Sequence, residues 1–158
     1  MEPAPSQRSN SSLIGIAGVH FVVSEFSRRG LVALPTIKNT AAYDIVVVNQ
    51  SGTKHANVQV KASSKRVSFF PMPAPERIRA GKNDIYVFVR WIESKERYEG
   101  FLLTGAEAKR NVEKNLERQR TRIQAGSRTS EFPCLHLGLK GEEAISEPWA
   151  KAWRTWSL

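Results

Sequence analysis

Between Tyr43 and Lys61 lie three side chains of the types that act together on a phosphate: the carboxylate of Asp44, the amide of Gln59 and the ammonium of Lys61. A carboxylate is an anionic oxygen ligand and an amide carbonyl a neutral one. Mg²⁺ accepts both in octahedral geometry while keeping several waters. Hydrolysing a phosphodiester requires a water made nucleophilic, charge neutralised on the phosphate and a stabilised leaving oxygen. An ammonium beside the ion's oxygens can orient that water and offset the charge.

Two strands and a turn must bring these groups together. Tyr43 to Val48 is a β-branched run too short for a helix. Gln50 to Thr53 supplies turn residues. His55 to Ala62 then alternates, Val58 and Val60 on one side and Asn57, Gln59 and Lys61 on the other. A four-residue loop pairs Asn49 with Lys54. Counting outward sets Asp44 opposite Gln59, with Lys61 its diagonal neighbour on one face. A slip of one residue would turn Asp44 to the other face.

The order Asp44, then Gln59-Val60-Lys61, resembles the PD-(D/E)XK nuclease superfamily. Its spacing is nearest to the Holliday-junction-resolvase-like branch and to small bacterial members of unassigned role. The resemblance covers roughly Gly18 to Ala62. It implies a restriction-endonuclease-like α/β domain, with a mixed sheet of about five strands flanked by helices. It also implies a Mg²⁺-dependent endonuclease acting on DNA, with Mn²⁺ as a substitute ion. On this resemblance Glu25, within GVHFVVSEFSRRG on the preceding helix, completes the site. Asp44 anchors the ion, Gln59 is a second ligand, Glu25 a third through water, and the backbone carbonyl of Val60 a further one. Lys61 orients the attacking water. Many members carry Glu where Gln59 stands, so this site has one negative charge fewer. A catalytically inactive nuclease-like module that binds nucleic acid or a protein partner is the alternative. Glu25 also has a plain structural reading, an i,i+4 ion pair with Arg29 worth about 0.2–0.5 kcal/mol.

Lysines and arginines number 24 against 15 acidic residues, a net charge of +9. Such an excess favours a polyanionic partner, nucleic acid before an acidic membrane, and the resemblance makes that nucleic acid DNA. Arg28, Arg29, Lys65 and Arg66 are the candidate phosphate contacts. Cutting both strands of a duplex commonly takes two copies of a site, hence a homodimer. The one cysteine, Cys134, rules out an internal disulfide and suits a reducing compartment. Without a second cysteine it reads as a small buried side chain rather than a zinc ligand or nucleophile. No apolar run reaches the length of a membrane span, and the first dozen residues lack a signal core, so a cytoplasmic protein is expected.

The expected organisation is a disordered tail over 1–11 and one domain over 12–158. Ser11 or Ser12 caps a helix from about Leu13 to Arg29, which Gly30 stops. A short strand, Leu31 to Leu34, follows. The four consecutive apolar residues Ile45 to Val48 imply a strand covered on both faces. Pro71, Pro73 and Pro75 keep Ser63 to Asn83 irregular. There Phe69 and Phe70 either plug the core or, among Lys65, Arg66, Arg77, Arg79 and Lys82, stack on bases. Asp84 to Trp91 and Arg97 to Leu103 form a second hairpin. Thr104 and Glu107 have capping-box spacing for a basic helix to about Gln124. Leu135, Leu137 and Leu139 suggest an edge strand. Pro148 opens a C-terminal helix, about 147–157, with Trp149, Trp153 and Trp156 on one side, packed onto the domain or offered to a partner.

Overall fold

The computed structural model describes residues 7–37, 43–138 and 145–158. The first six residues of the expected tail, the connection over 38–42 and Leu139 lie outside them. Helix α1 (Gln7–Arg28) leads into strands β1 (Val32–Pro35), β2 (Ile45–Val48) and β3 (His55–Ser63). Short β4 (Phe69–Pro71) and a 3₁₀ turn at Pro75–Arg77 carry the chain over to β5 (Asp84–Ile92). The chain then runs through β6 (Arg97–Thr104), α2 (Gly105–Gln124), β7 (Cys134–His136) and α3 (Glu147–Thr155).

The main sheet has five strands in the order β1-β2-β3-β5-β6, and β4 and β7 form a separate two-stranded sheet. β3 and β5 are parallel, and the other neighbours in the main sheet are antiparallel. The expected mixed α/β sheet of about five strands flanked by helices is therefore present. Its two faces are closed separately. Ile45, Val47, Val58, Val60 and Val87 pack with Val22 and Phe26 of α1, while Phe88, Phe101 and Leu103 pack with Val112 and Leu116 of α2. β2 departs from expectation. Ile45 and Val47 are buried but Val46 and Val48 only half so, because no described helix covers that end of the second face.

α1 begins ahead of the expected Leu13, since Ser11 and Ser12 continue the helix instead of capping it. Serine costs only a few tenths of a kcal/mol inside a helix, too little to stop one. At the other end Gly30 N–H donates to Ser27 O and Leu31 N–H to Phe26 O, a Schellman stop. Gly18 sets the helix against β3. A Cβ built on it would lie 2.4 Å from the Cβ of Ala62, so only glycine allows this approach.

Phe70 fills the core against Phe88, ring centres 5.1 Å apart, while Phe69 is exposed and meets Phe132 edge-on. The expected edge strand near Leu135 pairs with β4, not with the main sheet. Its other edge is taken by α2. Asn111 exchanges two bonds with His136 (Nδ2 to O, 3.2 Å; N to Oδ1, 2.9 Å), and Asn115 Nδ2 donates to Cys134 O at 3.0 Å. Gln119 exchanges two more with Phe132 (3.0 and 2.7 Å). Side-chain amides spaced one helical turn apart thus complete a strand's backbone. Asn115 is buried, and replacing it with alanine strands the Cys134 carbonyl, so a loss of about 1–3 kcal/mol by urea unfolding is expected. Beside it, burial pushes the Cys134 thiol up from its ordinary value, as suits an inert core group.

Candidate active site

The turn between β2 and β3 forms as its residues dictate. Asn49 N–H donates to Lys54 O (3.1 Å), and Asn49 Oδ1 accepts from Lys54 N–H (2.9 Å). The ladder then runs Val48↔His55, Val47↔Ala56, Val46↔Asn57 and Ile45↔Val58. At Asp44 it kinks. Asp44 N–H donates to the carbonyl of Val58, the residue that Ile45 already faces, instead of stepping on to Gln59. This bulge-like bend swings the carboxylate into the plane of the sheet, where β2 has run out and β3 has backbone to satisfy. Asp44 Oδ2 accepts from Val60 N–H at 2.7 Å and from Gln59 Nε2 at 3.0 Å. Among the described residues nothing donates to Oδ1.

Asp44 and Gln59 therefore meet, through a kink and not through simple face-to-face pairing. Lys61 stands two residues further on the same side of β3 as Gln59, half-buried and opposite Phe88 of β5. It makes no ion pair with a described residue. The backbone amide of Val60 holds the Asp44 carboxylate, which fixes the strand edge that also carries the Val60 carbonyl.

Glu25 is elsewhere. Its two oxygens accept from Arg28 (3.3 and 3.0 Å) and from Arg29 (3.3 Å). The Arg28 hydrogen bond chiefly holds the Glu25 carboxyl below its ordinary range, with the charges of both arginines adding and burial opposing. Arg29 in turn donates to the Trp153 carbonyl and lies over its ring at 4.5 Å. Burial draws its guanidinium down while Glu25 partly offsets this. The α1 residues that border Asp44 are an earlier set. A cavity of about 520 Å³ is lined by Gly15, Ile16, Val19 and His20 together with Tyr43, Asp44 and Val60. Glu25 lies roughly 9 Å further along the helix axis than Val19. Arg28 and Arg29, expected to hold phosphate, are thus engaged with Glu25, and Arg29 is mostly buried. Lys65 and Arg66 are exposed just beyond β3.

The Glu25 cluster makes a separable prediction. A carboxyl depressed in the fold stabilises above the ordinary carboxyl range, and that contribution is lost as pH falls through its folded value. Glu25→Gln is expected to cost about 0.5–1 kcal/mol at neutral pH, with the gap closing well below pH 4.5. Urea titrations at the two pH values measure it, and DNA cleavage should be unchanged.

In the sequence Arg79 is one of several loop cations. Crossing from the proline-rich segment, it donates from Nη1 to the Tyr43 hydroxyl at 2.7 Å and sits 4.8 Å above that ring. It pairs with no described carboxylate within ion-pair distance, and with Tyr43 and Gln59 it lines a small cleft. No local sequence pattern announces this contact, because it spans the long β3–β5 crossover.

The donors suit one mode of Mg²⁺ binding better than another. The described residues hold no group of three His, Cys, Asp or Glu side chains that could cage a metal. Asp44 Oδ1 is open, and Gln59 turns its NH₂ toward Asp44, so its Oε1 would serve only after a half-turn of the amide. One carboxylate with a neutral amide fits a cation completed by waters and substrate phosphate, not a preformed cage.

No known family profile matches the chain, and no curated protein matches it. Among solved structures a bacterial homing endonuclease is similar, with a TM-score of 0.49 and 14% identity over 91% of this chain and 90% of that one. Among the described residues no helix is long and apolar enough to cross a membrane.

Proposed function

We propose that the protein is a Mg²⁺-dependent nuclease that hydrolyses phosphodiester bonds in DNA at a centre built from Asp44, Gln59 and Lys61. The observation that carries this reading is the contact of Asp44 with Gln59 and with the Val60 amide, two residues from Lys61. This is the D…QxK cluster of the PD-(D/E)XK pattern. Asp44 supplies the anionic oxygen, Gln59 a neutral one after its amide turns, and the Val60 carbonyl a third. Lys61 holds the attacking water against the phosphorus and offsets the charge that builds on the phosphoryl oxygens. Arg79 adds positive charge on the same side. Held by these groups, Mg²⁺ would supply a more acidic water and charge neutralisation at the phosphate. The net charge of +9 draws DNA to the site. A duplex cut on both strands would take a homodimer.

A second reading, a nuclease-like module that binds nucleic acid without cutting it, is favoured by one observation. The helix positions beside Asp44 carry Val19 and His20, while Glu25 is tied to Arg28 and Arg29. Incubating the pure protein with supercoiled, linear duplex and single-stranded DNA, with Mg²⁺, Mn²⁺ or EDTA, separates the two. Cleavage abolished by EDTA supports the nuclease. Salt-sensitive binding with no metal-dependent cleavage supports the second reading, and neither activity sinks both.

A further inference from the structure

A second cavity, of about 350 Å³, opens where β5 and β6 turn and α3 begins. Five cationic side chains and two carboxylates line it. Both carboxylates are already used, Glu99 by Arg90 (2.7 Å) and Glu147 by Arg154 (2.9 Å). Arg66, Lys95 and Arg97 remain, and none makes an ion pair or side-chain hydrogen bond with a described residue. Three unbalanced cations around a concave surface repel one another, and an anion seated among them relieves that repulsion.

The cavity sits at the β6 edge, and its Arg90, Ile92, Arg97, Glu99 and Phe101 wall lies on the side of the sheet to which Lys61 belongs. Gln59, Lys61 and Ser63 stand beside Tyr86, Phe88 and Arg90 in the parallel β3–β5 pair. By strand spacing the Cα atoms of Lys61 and Arg90 are about 8 Å apart. Arg66 joins the two regions, since it follows β3 closely and lines the cavity. A polyanion crossing the Asp44 centre would thus meet Lys61 first, then Arg66, and Lys95 and Arg97 beyond the neutralised Arg90–Glu99 pair.

We propose that this cavity binds a backbone phosphate of DNA flanking the Asp44–Gln59–Lys61 centre, an inference that rests on the nuclease reading for the identity of the polyanion. Arg97 and Lys95 hold the phosphate from the β-turn side and Arg66 from the β3 side. The contact is to the backbone, so it adds affinity and register without reading sequence.

Duplex binding by the full chain, followed by fluorescence anisotropy in EDTA over a range of salt, tests this apart from cleavage. The Lys95→Gln/Arg97→Gln double variant is expected to bind about tenfold more weakly or worse, with a log–log salt slope shallower by about two. The charge-reversed Lys95→Glu/Arg97→Glu variant should lose more. Lys114→Gln, on the exposed face of α2, is the control for bulk charge and should bind like wild type. Thermal melts confirm that each variant folds. Wild-type affinity in the double variants, or an equal loss in the α2 control, overturns the cavity. So does a cavity that is stabilised by inorganic phosphate in melts yet leaves duplex affinity unchanged on mutation, since that marks a small-anion site. Because binding is read without metal, the absence of any cleavage would count against the nuclease and leave this result standing.

Discussion

Asp44→Asn is expected to lower DNA cleavage by about 10²–10³-fold while leaving the fold and its melting temperature nearly unchanged. The substitution is isosteric, and the contacts of this residue explain why it separates charge from structure. The asparagine oxygen can still accept from both Val60 N–H and the Gln59 NH₂, with its own NH₂ in place of the open oxygen. What disappears is the one carboxylate of the centre. Initial rates on a labelled duplex with Mg²⁺ and with Mn²⁺, beside thermal melts, measure both halves. Asp44→Ala removes the partner of the Val60 amide as well, so it should also lose about 1–3 kcal/mol of stability. Lys61→Ala should reduce cleavage without a comparable change in melting. Undiminished cleavage in Asp44→Asn would falsify the assignment of the centre.

How far the site can be read from sequence depends on which interactions are local. The Asn49–Lys54 closure is legible because turn residues and alternation fix a hairpin's register over a few positions. The nearness of Asp44 to Gln59 along the ladder follows from that register. The kink at Asp44 does not, because a count along an ideal ladder assumes that every residue advances the pairing by one. The capping box at Thr104 is equally local and forms as expected, with Glu107 N–H donating to Thr104 Oγ1 and Glu107 Oε2 accepting from Thr104 N–H. Glu25 shows the opposite case. Helical spacing placed it beside the buried stripe, but which stretch of the helix overlies Asp44 is decided by the crossing of α1 over β3. That crossing is set by Gly18 against Ala62, a contact between residues far apart in sequence. The amide column of Asn111, Asn115 and Gln119 was illegible for a related reason. In sequence it is a polar stripe on a basic helix, and only the unpaired edge of β7 gives it a purpose.

Trp153→Ala is expected to cost about 3–5 kcal/mol, a fall of roughly 10–15 °C in melting temperature for a domain this size. Trp149, Trp153 and Trp156 have the spacing of one helix face, yet they do different work. Trp149 packs toward the α2-side core, and Trp156 joins Trp153 against α1. Trp153 is 6% exposed, its ring edge-on to Phe26 at 5.5 Å and tilted on Phe21 at 6.0 Å, with Arg29 over its face. It also lies on Gly100 of β6, where a Cβ would come within 2.4 Å of the indole nitrogen. The indole therefore joins α3 to both the helix and the sheet, and a partner could reach it only by undocking α3. Gly100→Val should destabilise on its own by about 1–3 kcal/mol through overpacking. In the Trp153→Ala background the same valine enters vacated space and should cost much less. A double-mutant cycle from urea unfolding measures that coupling. Additive losses would mean that the two residues do not touch in solution, and a melting shift of only a few degrees for Trp153→Ala would mean that α3 is not docked.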